Sequence, residues 1–377
     1  MKKWLIGLST AAILSVPFEA NAATLPAAAT KMFTLQHQDA YADVNRTNQY
    51  VGVRGMNQYT LYDQGGKQRY RLKVKGSVST LGPRGGLYIV DGKPGKLNRL
   101  RSYSTKGKLL WSKTMKNTIV TEIKSTKDGY LYVSYQNKEK KRYTLARLAP
   151  KTGKVLAKWK GNQPNVYFGQ NGHALLPLSN QSFAVIKGSK KLYTIKTKHA
   201  ISIEYATLSN DGHLYMHGNN EKTGGLLEQL YSPKGKLLKT FKLANYNSIF
   251  FNDKNELFIG YQDSRVKGKN YYYDWYDRAG KHVKSFSLSL GKKGKGQSFH
   301  VLHAPNRHTL YGYHVTNNKQ VMYKMRNNKI IGKTKLPSVM MEAAHYEPLE
   351  SVPYGASFLD TNVASKDKVD LHLYRYK

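Results

Sequence analysis

The chain repeats itself, and that repetition limits its fold more than any other property. Five segments align: GGLYIVDGKPGKLNRLRSYSTKGKLLWSK from Gly85, DGYLYVSYQNKEKKRYTLARLAPKTGKVLAKWK from Asp128, DGHLYMHGNNEKTGGLLEQLYSPKGKLLKTFK from Asp211, NELFIGYQDSRVKGKNYYYDWYDRAGKHVKSF from Asn255 and HTLYGYHVTNNKQVMYKMRNNKIIGKTK from His308. Each opens on a turn such as Asp-Gly and runs through an apolar strand of the x-Leu-Tyr-x kind. A second, aromatic-rich strand follows, then a tight turn ending in Gly-Lys, then a third strand. Glycine supplies the positive φ that such hairpin turns need at no steric cost. One further strand precedes each unit, for example over 119–123 and 201–205, which makes four strands per repeat. Weaker copies, NGHALLPL from Asn171 and YGASFL from Tyr354, fill the gaps.

The first strand of each hairpin then starts near Tyr50, Leu87, Leu131, Ala174, Leu214, Leu257, Leu310 and Ser357, at spacings of 37, 44, 43, 40, 43, 53 and 47 residues. A small four-stranded sheet cannot cover both of its faces alone. Stacking such sheets around a ring does so, and the reading is a single all-β domain, a β-propeller of four-stranded blades. A parallel β-helix needs a much shorter period, and a helical solenoid needs a 3.6-residue pattern that is not found here. Residues 345–377 read as three strands and 32–36 as a fourth, so the N-terminal strand is expected to close the ring within the last blade and hide both edges. That bookkeeping gives eight blades, or seven if the unit near Tyr50 is half a blade. The boundaries are a leader over 1–22, a short linker over 23–30 and the propeller over 31–377.

LARLAPKTGKVLAKW (145–159) and RSYSTKGKLLW (101–111) resemble the core of the PQQ-like propeller repeats: a strand, a turn with Thr-Gly-Lys, and a strand ending in Trp. The resemblance covers most of the chain beyond 22, although only Trp111 and Trp159 keep the Trp. It implies the propeller fold and no single function, because propellers serve as enzymes, ligand binders and scaffolds. Quinone-dependent members hold their cofactor and a calcium ion in the central channel. This chain has no cysteine pair and few channel-side carboxylates, so no cofactor is expected.

Lys2 and Lys3 precede an apolar stretch over 4–18, and Ala20-Asn21-Ala22 offers an A-x-A cleavage site. This is the pattern of a secretory leader cut after Ala22, and the stretch is short for a membrane span. The chain has no cysteine, which removes disulfides, lipidation at a leader cysteine, cysteine-ligated metals and thiol chemistry. Charge is the next constraint: 61 Lys+Arg face 23 Asp+Glu, a net charge of +38 over 377 residues. Self-repulsion of that size is offset by an anionic surrounding. The composition resembles that of basic, Tyr- and Lys-rich envelope proteins of Gram-positive bacteria. These features imply a secreted, wall-associated, monomeric binding protein without enzymatic activity. Its partners would be anionic cell-wall polymer, teichoic acid or polysaccharide, with other envelope proteins as further partners. The alternatives are an extracellular carbohydrate-active or lyase-type enzyme, a protein-interaction scaffold, and an extracellular nucleic-acid binder.

No phosphate-binding loop, G-x-S-x-G elbow or H-E-x-x-H occurs. The candidate polyanion-binding residues are Lys138, Lys140, Lys141 and Arg142, then Arg265, Lys267 and Lys269, then Lys292, Lys293 and Lys295, all in long loops expected on one face. The opposite rim carries tight turns with Lys67, Lys106, Lys108, Lys151, Lys154, Lys234, Lys236, Lys281 and Lys329. Tyr271, Tyr273 and Trp275 share one face of a strand and could stack on sugars or pack between blades. Glu122 and Glu204, on channel-lining strands, fit either general acid–base work or pairing with nearby cations. His300, His303, His308 and His314 suggest either a transition-metal site or surface and rim histidines, and no metal is assigned to them. Glu342, Glu347 and Glu350 read as a solvated acidic loop.

Overall fold

The computed structural model describes residues 26–27, 29–37, 43–46, 50–54, 57–63, 65–74, 76–91, 98–126, 128–139, 141–169, 171–242, 246–263, 270–289, 298–316, 319–327, 329–336, 357–365 and 368–376. Among the described residues every regular element is a β-strand. Seven four-stranded antiparallel sheets follow one another over residues 43–73, 76–115, 118–161, 167–196, 201–240, 246–289 and 298–336, here sheets one to seven. In each, the four strands pair in chain order. Their second strands begin at Tyr50, Leu87, Leu131, His173, Leu214, Leu257 and Thr309, within one residue of the positions the repeat predicts.

A three-stranded sheet joins the chain ends. Ala29–His37 pairs antiparallel with Lys368–Tyr376, which pairs in turn with Ser357–Ser365. The N-terminal strand starts two residues earlier than the linker boundary had it. The remaining C-terminal strand of the sequence reading falls within 337–356 and lies outside the described residues, as does the leader. The backbone carbonyl of Pro26 accepts a hydrogen bond from Lys333 N at 2.8 Å, which ties the N-terminal segment to sheet seven.

Each pair of consecutive sheets encloses a core. Tyr59 and Leu61 of sheet one meet Leu87 and Ile89 of sheet two, and Phe258 and Trp275 of sheet six meet Phe299 and Met325 of sheet seven. The strand Leu131–Asn137 shows why the x-Leu-Tyr-x pattern is apolar at every position. Leu131 and Val133 face the core shared with sheet two, whereas Tyr132 between them faces the core shared with sheet four. Successive side chains point to opposite faces, and here both faces are covered. The outermost strands are covered less and alternate, as Val155–Gly161 does. Stacked sheets with a shared core at each interface are the architecture of a β-propeller of about seven blades.

One repeated detail has no counterpart in the sequence pattern. In all seven sheets the pairing of third with fourth strand slips by one residue beside the connecting turn, for example between Ser102 and Tyr103, Arg147 and Leu148, and Trp275 and Tyr276. A bulge there bends the strand and increases its twist, which sets the angle at which each turn leaves its sheet.

Candidate polyanion-binding rim

The turns that join third to fourth strands have a common build. In sheet two, Ser104 Oγ accepts hydrogen bonds from the backbone N–H groups of Lys106 at 3.3 Å and Lys108 at 3.2 Å. Ser232 does the same for Lys234 and Lys236 in sheet five, at 3.4 and 3.1 Å. Asp63 Oδ1 holds Gly65 and Lys67 in sheet one, both at 3.0 Å, and Asp277 Oδ1 holds Ala279 and Lys281 in sheet six, both at 2.9 Å. A short polar side chain thus satisfies the backbone of its own turn, and the lysine ammonium groups take no part in that.

The turns also lean on their neighbours. A Cβ on Gly107 would lie 3.1 Å from the Tyr70 ring of sheet one, and one on Gly153 would lie 2.9 Å from the Trp111 ring of sheet two. Both glycines have positive φ, 76° and 66°. Trp111 Nε1 donates to Pro150 O at 2.8 Å across the same contact. Gly235 meets Tyr193 of sheet four in the same way. Because each of these turns rests on the outer strand of the preceding sheet, the turns of consecutive sheets adjoin.

Every one of the seven turns carries exposed lysine: Lys67, Lys106 and Lys108, Lys151 and Lys154, Lys190, Lys234 and Lys236, Lys281, and Lys329. Lys190 is absent from the sequence reading, and the signal was Gly188 two residues before it, with φ 61°. Among the described residues, carboxylates of this rim are engaged by arginine instead. Asp63 lies 3.7 Å from Arg69 and Asp128 lies 3.6 Å from Arg147, while Arg278 bonds Asp211 and Arg307 bonds Glu256 across neighbouring sheets. Partial burial opposes the Asp211 charge, yet bonds from Ser209, His213 and Arg278 hold its pKa down at about 2. These four acids are therefore paired with arginine, and the exposed lysines of the turns stand outside those pairs.

The residues singled out from the sequence fall in several places. Lys138 is half-buried, whereas Lys141 and Arg142 are exposed in the second–third hairpin of sheet three. Lys140, Arg265, Lys267, Lys269, Lys292, Lys293 and Lys295 lie outside the described residues, as do Glu342, Glu347 and Glu350. Tyr271, Tyr273 and Trp275 are 3, 0 and 0 % exposed and belong to the core between sheets six and seven. Packing is the role they have, since their rings present no open face to a sugar. The four histidines are not all at the surface. Burial pushes the pKa of His314 down to about 4, and burial also lowers that of His303, with Asp253 opposing. His308 is exposed, with Nδ1 3.0 Å from Lys284 Nζ. The side chain of His300 lies outside the described residues. Among the described residues no three metal-ligating side chains converge.

Glu204 is half-exposed on the first strand of sheet five, where the pairing with the second strand slips between Ile203 and Tyr205. Its Oε2 lies 3.2 Å from His217 Nε2, and Asn219 donates to its Oε1. His217 Nδ1 lies 3.4 Å from Oε1 of the buried Glu228, directly across the strand pair. Glu204 thus has an imidazole and an amide as its partners. Glu122 sits half-buried on the first strand of sheet three. His217 and Glu228 escaped the sequence reading because nothing local marks a polar pair between two apolar strands.

No known family's sequence profile matches this chain, and no curated protein matches it in sequence. Solved structures do match. A eukaryotic initiation factor aligns over 92% of this chain and 84% of its own, at 13% identity and a TM-score of 0.56. BamB from Moraxella catarrhalis aligns over 92% of this chain and 100% of its own, at 8% identity and a TM-score of 0.49. The Dos1 propeller aligns over 74% and 76%, at 14% identity and 0.46. Identities this low speak to architecture alone, and the likeness to the initiation factor, at a TM-score above 0.5, is one of overall fold.

Proposed function

We propose that the protein is exported, cut after Ala22, and binds anionic polymers of the cell envelope, teichoic acid or anionic polysaccharide, without acting as an enzyme. The observation that carries this reading is the rim of seven adjoining turns, each with exposed lysine, in a chain of net charge +38. Exposed ammonium groups on flexible stems act as point charges, so recognition by them is broad. Lys141 and Arg142, exposed in the second–third hairpin of sheet three, and the cations of 265–269 and 292–295 would add to that charge. We also infer that the sheet joining the chain ends belongs to an eighth blade, three of whose strands come from residues 345–377 and one from the N-terminal strand, which closes the ring of a monomer.

The test is cosedimentation of the mature protein with cell walls that contain or lack teichoic acid, at 0.1 and 1 M salt. The Debye length falls from about 10 Å to about 3 Å over that range, so binding should be strong only to the anionic wall at low salt. Equal binding to both walls, unchanged at 1 M salt, overturns the proposal. Sequencing of exported protein should begin at Ala23, and a start at Met1 in culture fluid would overturn the leader.

A further inference from the structure

The rim described above is not evenly polar. Leu109 and Leu110 of sheet two, Leu156 of sheet three, Leu192 of sheet four and Leu237 of sheet five are 41 to 52 % exposed. All five stand within the first three residues of a fourth strand, beside the lysines of the turn before it. Scattered apolar residues are ordinary on a protein surface. Five leucines at one place in four consecutive sheets, on outer strands where charged residues are the usual protection, are not scattered. The feature is one-sided as well. Sheet one has exposed Gln68 and Arg69 at this place, sheet six has exposed His282, and the apolar Ile330 of sheet seven is half-buried.

We infer that the turns of sheets two to five form a docking face for an anionic lipid bilayer, a partner distinct from the polymer proposed above. A hydrophilic polyanion gains nothing from exposed leucine. A bilayer surface with anionic headgroups uses both halves of the pattern: lysines meet the headgroups while neighbouring leucines enter the boundary with the acyl chains. The turns of sheets two, three and five rest on Tyr70, Trp111 and Tyr193 of the sheets before them, and Gly188 of sheet four faces Arg147 of sheet three, so the leucine-bearing strand starts of these four sheets follow one another along one rim. Charge complementarity selects an anionic surface, and the leucines select one with an apolar layer beneath it.

The experiment measures binding of the mature protein to vesicles of 30 % phosphatidylglycerol in phosphatidylcholine, to vesicles of phosphatidylcholine alone, and to soluble polyphosphate. The parent should bind the anionic vesicles and keep part of that binding at 0.5 M salt, where polyphosphate is released. The variant L110Q/L156Q/L192Q/L237Q should lose at least about tenfold in vesicle affinity and bind polyphosphate as the parent does. Leu226, exposed at the opposite rim, provides the control, and Leu226→Gln should leave vesicle binding unchanged. Vesicle binding as tight in the quadruple variant as in the parent overturns the inference. So does loss of all parent vesicle binding at the salt that releases polyphosphate. A parent that binds polyphosphate but no vesicles overturns this inference alone, whereas one that binds neither overturns the polymer reading too.

Discussion

Acid should weaken this fold through two buried histidines. His173 opens the second strand of sheet four at 1 % exposure, and His314 lies in that of sheet seven at 6 %. Burial, with Lys187 adding repulsion against a smaller pull from Asp211, takes His173 from 6.5 down to about 4. Burial alone takes His314 equally far. The folded state therefore holds fewer protons than the unfolded one between pH 6.5 and 4. Stability is full above pH 6.5, falls as pH drops through that window, and loses nothing further from these groups below 4. At pH 4.5 each histidine should have cost about 2.5 kcal/mol, a large part of a typical total of about 5–15 kcal/mol. Urea unfolding of the parent and of H173Q/H314Q at pH 7, 5.5 and 4.5 measures this. The variant should start less stable and lose about 5 kcal/mol less than the parent on acidification. Equal losses in the two proteins would refute the reasoning.

Three further substitutions probe the rim. Gly153→Ala should cost about 2–3 kcal/mol, because it combines a positive φ with a Cβ 2.9 Å from the Trp111 ring. Gly129→Ala, with φ 82° and open space around it, should cost only about 1 kcal/mol, and equal melting points for the two would contradict the packing of turn on ring. Asp211→Asn weakens the link from sheet five to Arg278 of sheet six. With Arg278 largely exposed, the cost should be about 1–2 kcal/mol. An unchanged unfolding midpoint at pH 7 would show that the link contributes nothing.

The repeat made the sheets legible in the sequence, because an Asp-Gly or Gly-Lys turn fixes where each hairpin begins. Leu87, Leu131, Leu214 and Leu257 begin strands where that chemistry puts them. It did not make the faces legible. In a half-covered sheet, alternation separates inside from outside, but here both faces of the middle strands are buried, so an aromatic on either face has the same pattern. Tyr271, Tyr273 and Trp275 therefore read as well for a binding surface as for a core. His314 was misplaced for the same reason: a polar side chain on a doubly covered strand is buried whichever way it points. The recurrent slip beside each third–fourth turn depends on local twist and left no trace in residue types.

The contacts of glycine turns on rings also have a direction. Gly107 lies over Tyr70, Gly153 over Trp111 and Gly235 over Tyr193, in each case the later sheet over the earlier. The molecule is laid like roof tiles, and lifting one tile bares the ring of the sheet before it while the tile above the sheet after it stays in place. We expect disorder that starts within a sheet to spread toward the N terminus. A protease cut in the third–fourth turn of sheet three should accelerate amide exchange in sheet two before sheet four, and the reverse order would show that the tiling does not steer it.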